Sequence, residues 1–284
     1  RSRYCARGHI MIESWRWYGE FDSIALSDVA QTGARGIVTA LHGIPYGEVW
    51  PQGAIAARKA QVTEAGFDWV VVDGEHAPND IRSIRDQLIA LEASSSHGVV
   101  RLPVGETWMI KQVLDAGAQT VLVPIVESAD QARELVRACH YPPKGVRGVG
   151  ATAARATMFG SVSEYIQTAD QEVCLLVQVE NRAGIDALDE ILQVEGIDGV
   201  FIGPADLSTD MGHQGNSAHP EVRAAIADAI TRIKAAGTAP GILGVSEEAT
   251  QAYLDMGAQF LAVGIDVLVL AQNARALSQT WKSK

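Results

Sequence analysis

The chain has 284 residues, of which 47% are hydrophobic and 20% charged, and its formal net charge is −11. This composition is typical of a globular protein with a large core and excludes a largely disordered chain. The negative charge and the lack of Lys/Arg runs argue against a nucleic-acid partner, because nucleic-acid-binding surfaces neutralise phosphates with clustered basic residues.

The spacing of the cysteines and the first residues of the chain indicate the cellular location of the protein. Cys5, Cys139 and Cys174 lie far apart without CxxC spacing, so the sequence predicts neither a disulfide framework nor a thiolate metal site. No apolar run reaches about 18 residues, and residues 1–10 lack a signal-peptide core. We therefore expect no membrane partner, a cytoplasmic location, and an extension outside the folded domain at residues 1–10.

Short apolar runs alternate with amphipathic segments along the chain. The segments carry helical signals, such as a capping Ser128 after the fourth run and Pro220 in the segment 219–237. This alternation predicts an α/β fold, most simply a (β/α)8 TIM barrel forming one domain over residues 11–284. An open doubly wound sheet is the alternative. A barrel needs eight strands, and the run 145–150 is the weakest candidate. The nine runs are 36–41, 68–73, 98–102, 120–126, 145–150, 174–180, 199–203, 240–244 and 260–266.

Polar side chains follow several of these runs directly. In α/β barrels the chemistry lies at the carboxyl ends of the strands, so residues just after each run are expected to face one pocket. Any single carboxylate among them could instead cap a helix or form a salt bridge, but their coincidence favours a site. The residues so placed are Asp73, Glu75, His76, Arg101, Glu127, Gln178, Glu180 and Asp206.

Glu180 and Asp206 are the candidate metal ligands. Glu180 alternates with Gln178 on one face of a strand, and Asp206 follows a turn of small residues at 203–205. Two carboxylates from adjacent strands, with water and an oxygen-rich substrate, form the hard octahedral site that Mg²⁺ or Mn²⁺ prefers.

His76 and Arg101 are the candidate catalytic side chains. His76 lies just past a strand beside the flexible Gly74, which favours proton transfer over a buried structural role. Arg101 has a planar donor fork that suits a developing oxyanion. Asp73 and Glu127 are expected to be structural or to support the site. The other loop histidines, His42, His213 and His219, are interpreted as loop or capping residues.

Six stretches within residues 63–277 carry a family resemblance: "AGFDWVVVDGEHAPN", "IKQVLDAGAQTVLVPIVESADQA", "YPPKGVRGVG", "CLLVQVE", "GVFIGPADLS" and "FLAVGID". They resemble the HpcH/HpaI aldolase family, and within it the 4-hydroxy-2-oxoheptanedioate aldolases. The resemblance implies a metal-dependent pyruvate aldolase on a (β/α)8 barrel, hexameric, with its last helix exchanged between paired subunits. Its substrates would be 4-hydroxy-2-oxo acids, which yield pyruvate and an aldehyde such as succinate semialdehyde.

The resemblance also implies a role for each site residue. Glu180 and Asp206 would bind a divalent Mg²⁺, Mn²⁺ or Co²⁺ ion. Arg101 would stabilise the pyruvate enolate, and His76, supported by Asp115, would act as the acid/base group. The residues implied to bind substrate are Gln178, Gly203, Pro204, Ala205 and Leu243.

The lysines favour a metal over a Schiff base. An enolate is stabilised either by a lysine imine or by a Lewis-acid metal, and no lysine falls within an apolar run. The lysines are Lys59, Lys111, Lys144, Lys234, Lys282 and Lys284.

The resemblance also implies where the substrates lie. The pyruvate carboxylate would contact backbone N–H groups of 203–206, and the aldehyde would lie near Leu243.

The beginning of the chain departs from the family. Residues 11–62 resemble the opening strand and helix of mannonate dehydratase, so the chain is interpreted as a fusion with an aldolase-like remainder. Thr39, Leu41 or His42 would then replace the aromatic residue that lines the pocket in the family. The stretch "ARATMFGS" (154–161) also departs from the family, so the identity of the aldehyde substrate stays open. A 2-dehydro-3-deoxyglucarate aldolase, an acyl-CoA lyase of the same superfamily and a catalytically impaired barrel are the alternatives.

Overall fold

The computed structural model describes residues 14–16, 36–38, 67–92 and 94–282. The predicted extension 1–10 and most of the mannonate-dehydratase-like segment 11–62, including Thr39, Leu41 and His42, lie outside these ranges. The described strands are β1 (Ser14–Arg16), β2 (Gly36–Val38), β3 (Trp69–Asp73), β4 (His97–Arg101), β5 (Thr120–Val123), β6 (Cys174–Val179), β7 (Gly199–Ile202), β8 (Ala239–Leu243) and β9 (Phe260–Ala262).

All these strands join one parallel sheet. Its order is β2-β1-β9-β8-β7-β6-β5-β4-β3, so each strand lies beside the one that follows it in the chain, and β9 lies beside β1. The two edge strands, β2 and β3, also contact each other. The sheet is therefore curled, and its sequential order differs from that of a doubly wound sheet, in which the strand order reverses.

Helices follow most of the strands. The predicted cap is confirmed at Ser128, whose Oγ accepts a hydrogen bond from the backbone N–H of Gln131 at 3.2 Å. Among the described residues, no helix is long and apolar enough to cross a membrane. The described helices are α1 (Ile81–Leu91), α2 (Thr107–Asp115), α3 (Ala129–Cys139), α4 (Tyr165–Glu172), α5 (Arg182–Asp186), α6 (Leu188–Ile191), α7 (Pro204–Asp210), α8 (Pro220–Ala235), α9 (Glu247–Met256) and α10 (Asp266–Lys282).

Two apolar clusters cover the two faces of the sheet. Helix residues such as Leu114 and Ile230 pack on strand residues such as Val72 on the outer face. The inner face holds Trp69, whose ring stacks on Phe260 with centroids 4.0 Å apart. Because successive strand residues point to opposite faces, the inner face continues from these apolar residues to the polar residues at the strand ends.

The run 145–150 is not a strand. Arg147 in its centre is completely buried, and the backbone N–H groups of Val146 and Arg147 donate to carbonyls of Arg137 and His140 near the end of α3. The run therefore packs as an irregular segment against α3, since its hydrogen bonds go to a helix end and not to a neighbouring strand. Its removal from the nine predicted runs leaves eight, and each of these overlaps an observed strand. Strand β1 lies outside the predicted runs.

Candidate active site

Strand alternation brings the predicted residues to the inner face at the carboxyl edge of the sheet. Trp69, Val71 and Asp73 alternate along β3, and Val99 and Arg101 alternate along β4. Asp73 and Arg101 are direct partners in the parallel register of these two strands. Since both strands end at these residues, their side chains meet at the edge where barrel enzymes place their chemistry.

Arg101 is held by two carboxylates. Its Nε and Nη2 donate to the two oxygens of Asp73 at 2.8 and 2.7 Å, and its Nη1 lies 2.9 Å from Oε2 of Glu75. Burial favours the neutral forms of these groups, but the Arg101 hydrogen bonds and charge outweigh burial at Asp73 and lower the pKa of its carboxyl. Asp73 therefore positions Arg101, in agreement with the structural role expected for it.

Glu180 lies buried at the end of β6 with both oxygens engaged. Its Oε1 accepts from the backbone N–H of Ile125 at 2.8 Å, and its Oε2 accepts from Nε2 of Gln178 at 2.5 Å. Burial is the main cause that raises the pKa of Glu180, and the negative charges of Glu75 and Asp206 raise it further. Gln178 is itself buried, and its Oε1 has no partner among the described residues.

Ile125 holds its N–H in an unusual backbone conformation. Its φ angle is +55°, in the left-handed region that β-branched residues rarely adopt. The neighbouring Val126 donates to the carbonyl of Gln178, so two successive N–H groups tie this turn after β5 to the end of β6. The sequence shows no sign of this contact, because nothing in an apolar run marks a residue with positive φ.

Gly203, three residues before Asp206, lies directly against Glu180. A Cβ on Gly203 would lie 2.7 Å from both Cβ and Oε2 of Glu180, so only glycine fits there without displacing the carboxylate. Asp206 lies in the first turn of α7 and is exposed. Gly203 donates its N–H to Val179, and Pro204 has none. The backbone donors available to a ligand are therefore those of Ala205 and Asp206, a narrower set than predicted.

The charges of this edge suit a cation. The carboxylates of Asp73 and Glu75 contact the Arg101 guanidinium, and the negative charges of Glu180 and Asp206 act on the same group of side chains. Burial raises the pKa of Glu75 even though Arg101 lies beside it, and the charges of Asp73 and Asp206 add to the effect. Carboxylate oxygens are the ligands that hard divalent ions prefer. The donor set thus fits a divalent metal held by Glu180 and Asp206.

His76 lies at the mouth of this edge. Its backbone N–H donates to Oδ1 of Asp73 at 3.4 Å, while its imidazole Nε2 lies 3.7 Å from Oε2 of Glu75. The His76 side chain is 66% exposed. Its imidazole is therefore accessible from outside, which the predicted proton transfer requires.

Asp115 is not brought to His76 within one chain. Helix α2 starts after the carboxyl end of β4 and runs back toward the start of β5, so its last residue, Asp115, lies at the amino edge of the sheet. There the Asp115 carboxylate accepts from Nη2 of the buried Arg147 at 2.8 Å. The expected support of His76 by Asp115 is not a contact of the single chain.

The remaining predicted residues lie at the carboxyl edge. Leu243 ends β8 and packs partly buried against the inner apolar cluster. Glu127 is exposed and accepts from Nδ2 of Asn181 at 2.6 Å, so it ties the loop after β5 to the loop after β6.

Comparisons with known proteins agree with this geometry. The family model described as HpcH/HpaI aldolase/citrate lyase matches residues 48–273. The hydroxypyruvate/pyruvate aldolase of Roseovarius nubinhibens is 60% identical over 77% of this chain and 85% of its own length. The 4-hydroxy-2-oxo-heptane-1,7-dioate aldolase of Escherichia coli is 52% identical over 75% of this chain and 82% of its own length. The crystal structure of an HpcH/HpaI aldolase/citrate lyase family protein from Burkholderia cenocepacia superposes with a TM-score of 0.79, at 33% identity over 97% of this chain and 96% of that one.

Proposed function

The chain belongs to the HpcH/HpaI aldolase/citrate lyase family, and we propose that it is a metal-dependent pyruvate aldolase that cleaves or forms 4-hydroxy-2-oxo acids. It is a carbon–carbon lyase, like its relatives named hydroxypyruvate/pyruvate aldolase and 4-hydroxy-2-oxo-heptane-1,7-dioate aldolase. The observation that supports the metal most strongly is the group of four interacting carboxylates at the carboxyl edge, of which Arg101 pairs with two.

Glu180 and Asp206 would hold the divalent ion, Mg²⁺, Mn²⁺ or Co²⁺. Such an ion supplies Lewis acidity that stabilises the enolate of a 2-oxo acid. The buried amide of Gln178 and the N–H of Ile125 orient the Glu180 carboxylate. Because Gly203 has no Cβ, the Glu180 side chain packs directly against the backbone at the start of α7.

Arg101 would bind the enolate oxygen. A guanidinium has five N–H donors; two of those of Arg101 donate to Asp73, and Nη1 forms an ion pair with Glu75. The N–H groups that do not donate to Asp73 would bind the substrate. The bidentate pair with Asp73 fixes the plane of the guanidinium, so the remaining donors keep a set direction.

His76 would transfer the proton of the aldehyde-derived hydroxyl, directly or through a water. The backbone N–H groups of Ala205 and Asp206 would bind the pyruvate carboxylate, and Leu243 would line the aldehyde side. In a hexamer, the support of His76 by Asp115 would come from a neighbouring copy of the chain, because Asp115 lies at the opposite edge of its own sheet.

The lysines give no Schiff-base alternative among the described residues. None of the described lysines lies on a strand of the sheet, and Lys144 is exposed and pairs with Asp170. A lysine nucleophile acts from within the pocket, so the metal route is the better supported one. The described lysines are Lys111, Lys144, Lys234 and Lys282.

The finer features belong to the same proposal. The curled sheet would close as the (β/α)8 barrel of one domain over 11–284, and the chain would form a cytoplasmic homohexamer. The nucleophile would be pyruvate or hydroxypyruvate, as in the names of the relatives. A role in aromatic compound catabolism would follow if the aldehyde is succinate semialdehyde.

The test is the aldol reaction of pyruvate with a panel of aldehydes, with and without chelator. We expect chelator to abolish activity and Mn²⁺, Co²⁺ or Mg²⁺ to restore it. A second readout is the exchange of pyruvate methyl protons with solvent deuterium, followed by proton NMR after removal of the metal. Full activity in chelator, together with a borohydride-trapped lysine adduct, would show that the mechanism is wrong.

A further inference from the structure

A second group of metal-ligating side chains lies between α7 and α8. We call His213, His219 and Glu221 the His–Glu cluster. Nε2 of His213 lies 2.9 Å from Oε2 of Glu221, and the rings of the two histidines stack with centroids 3.5 Å apart and an interplanar angle of 16°. One ligand atom from each of the three residues lies within 4.8 Å of the others. The close approach of all three allows a single ion to contact them together.

The local backbone fixes these side chains. His213 donates its N–H to the carbonyl of the buried Ser208, which ties it to the end of α7. His219 is the N-cap of α8, and Glu221 lies in the first turn of that helix. The cluster thus joins the segment that follows α7 to the first turn of α8.

The cluster combines two imidazoles with a single carboxylate. The Glu221 side chain is exposed, and its Oε2 lies against Nε2 of His213. Arg182 is a positive group near the cluster; its Nη2 donates to the carbonyl of Met211, and its backbone N–H donates to Asp210.

We propose that the His–Glu cluster binds one transition-metal ion, of the Zn²⁺ or Co²⁺ class, at a site separate from Glu180 and Asp206. Two imidazole nitrogens and one carboxylate oxygen are a ligand set that selects these ions over Mg²⁺, and water completes the coordination. The four residues of α7 that follow Asp206 span roughly 6 Å at 1.5 Å per residue, and His213 lies three residues beyond the end of this helix. The ion would hold the segment after α7, the helix whose first turn carries Asp206.

The test counts zinc ions bound by the full chain. After chelation and dialysis, Zn²⁺ is titrated by calorimetry into the wild type and into a Glu180→Gln/Asp206→Asn variant. We expect the wild type to bind two ions per chain and the double variant to bind one. When Co²⁺ replaces Zn²⁺ at the remaining site, the double variant should absorb visible light more strongly than an all-oxygen cobalt site does.

His213→Phe is the sharpest single change in the His–Glu cluster. Phenylalanine keeps a flat ring to stack on His219 but has no donor atom, so zinc affinity of this site should fall at least tenfold. Glu248→Gln, a change of an exposed carboxylate in the first turn of another helix, α9, is the matched control and should bind zinc as the wild type does. The aldol rate with Mg²⁺ should be the same in His213→Phe and the wild type.

Thermal unfolding separates metal binding from folding defects. Zinc should raise the melting temperature of the Glu180→Gln/Asp206→Asn variant, because an ion that binds only the folded state stabilises it. The rise should disappear when His213→Phe is added. Either of two results would overturn the proposal: a double variant that binds no zinc, or a His213→Phe protein that binds two ions as tightly as the wild type. Neither result bears on the chelator test of the aldolase activity.

Discussion

Replacement of Arg101 by lysine tests the central step of the mechanism, because it keeps the charge and removes the donor fork. Arg101 uses Nε and Nη2 on the two oxygens of Asp73 and Nη1 on Glu75. A lysine has its three donors on one atom, so it can pair with one of these carboxylates but cannot also direct two fixed donors at an enolate oxygen.

The expected loss follows from the donors that disappear. Removal of one preorganised donor to a developing oxyanion costs on the order of a hundredfold in turnover, which corresponds to about 2.7 kcal/mol at 1.36 kcal/mol per tenfold. The side chain of Arg101 is only 19% exposed, so solvent replaces little of the lost interaction. Stability should change less, by about 1 kcal/mol, because the lysine still compensates a neighbouring carboxylate.

The assay is the initial rate of pyruvate release from a 4-hydroxy-2-oxo acid at saturating Mn²⁺, with metal affinity measured separately by titration. Arg85→Lys is the control, since Arg85 is exposed and, within the part of the chain that the structure describes, pairs with the adjacent Asp86. A folded Arg101→Lys protein with unchanged kcat would refute the reasoning. A loss of metal affinity as large as the loss of kcat would also refute it. Arg101 would then act by positioning the carboxylates that bind the metal, and not by binding the enolate.

Two further predictions concern packing around the site and at the opposite edge of the sheet. Gly203→Ala should lower metal affinity about tenfold and cost about 1–3 kcal/mol of stability, because its Cβ would lie 2.7 Å from Glu180; titration and urea unfolding measure both, and Gly148→Ala, whose Cβ meets only the flexible end of a lysine, should change neither. Arg147→Met should cost about 3–5 kcal/mol of unfolding free energy because it leaves a carboxylate partner without its buried cation. Urea unfolding measures this at equal protein concentration, and the exposed Arg137→Met should lose at most about 1 kcal/mol; equal losses would contradict the assignment.

Strand periodicity was sufficient to predict which residues gather at the carboxyl edge. Asp73, Arg101 and Glu180 each end an alternating run, and the parallel pairing places all three on one face. The same periodicity could not predict which charges pair. The bidentate contact between Asp73 and Arg101 depends on the register of β3 against β4, and two separate runs contain no information about their relative register.

Other features depend on contacts that single segments do not encode. The run 145–150, the weakest strand candidate, packs as an irregular segment, and its buried Arg147 pairs with Asp115 on a different element. The site role of Asp115 came from resemblance alone. The direction of α2, which could be read from the alternation of strands and helices, already places Asp115 at the amino edge.

The left-handed backbone at Ile125 lowers the stability of the protein and at the same time holds Glu180 in position. A β-branched residue at this φ angle costs about 1–3 kcal/mol, a substantial part of the roughly 5–15 kcal/mol that keeps a domain folded. In return, the N–H of Ile125 donates to Glu180. Variants selected in the laboratory for heat resistance should therefore accept glycine or asparagine at this position readily, and they should then hold Glu180 less firmly, so that thermal tolerance is gained at the expense of turnover.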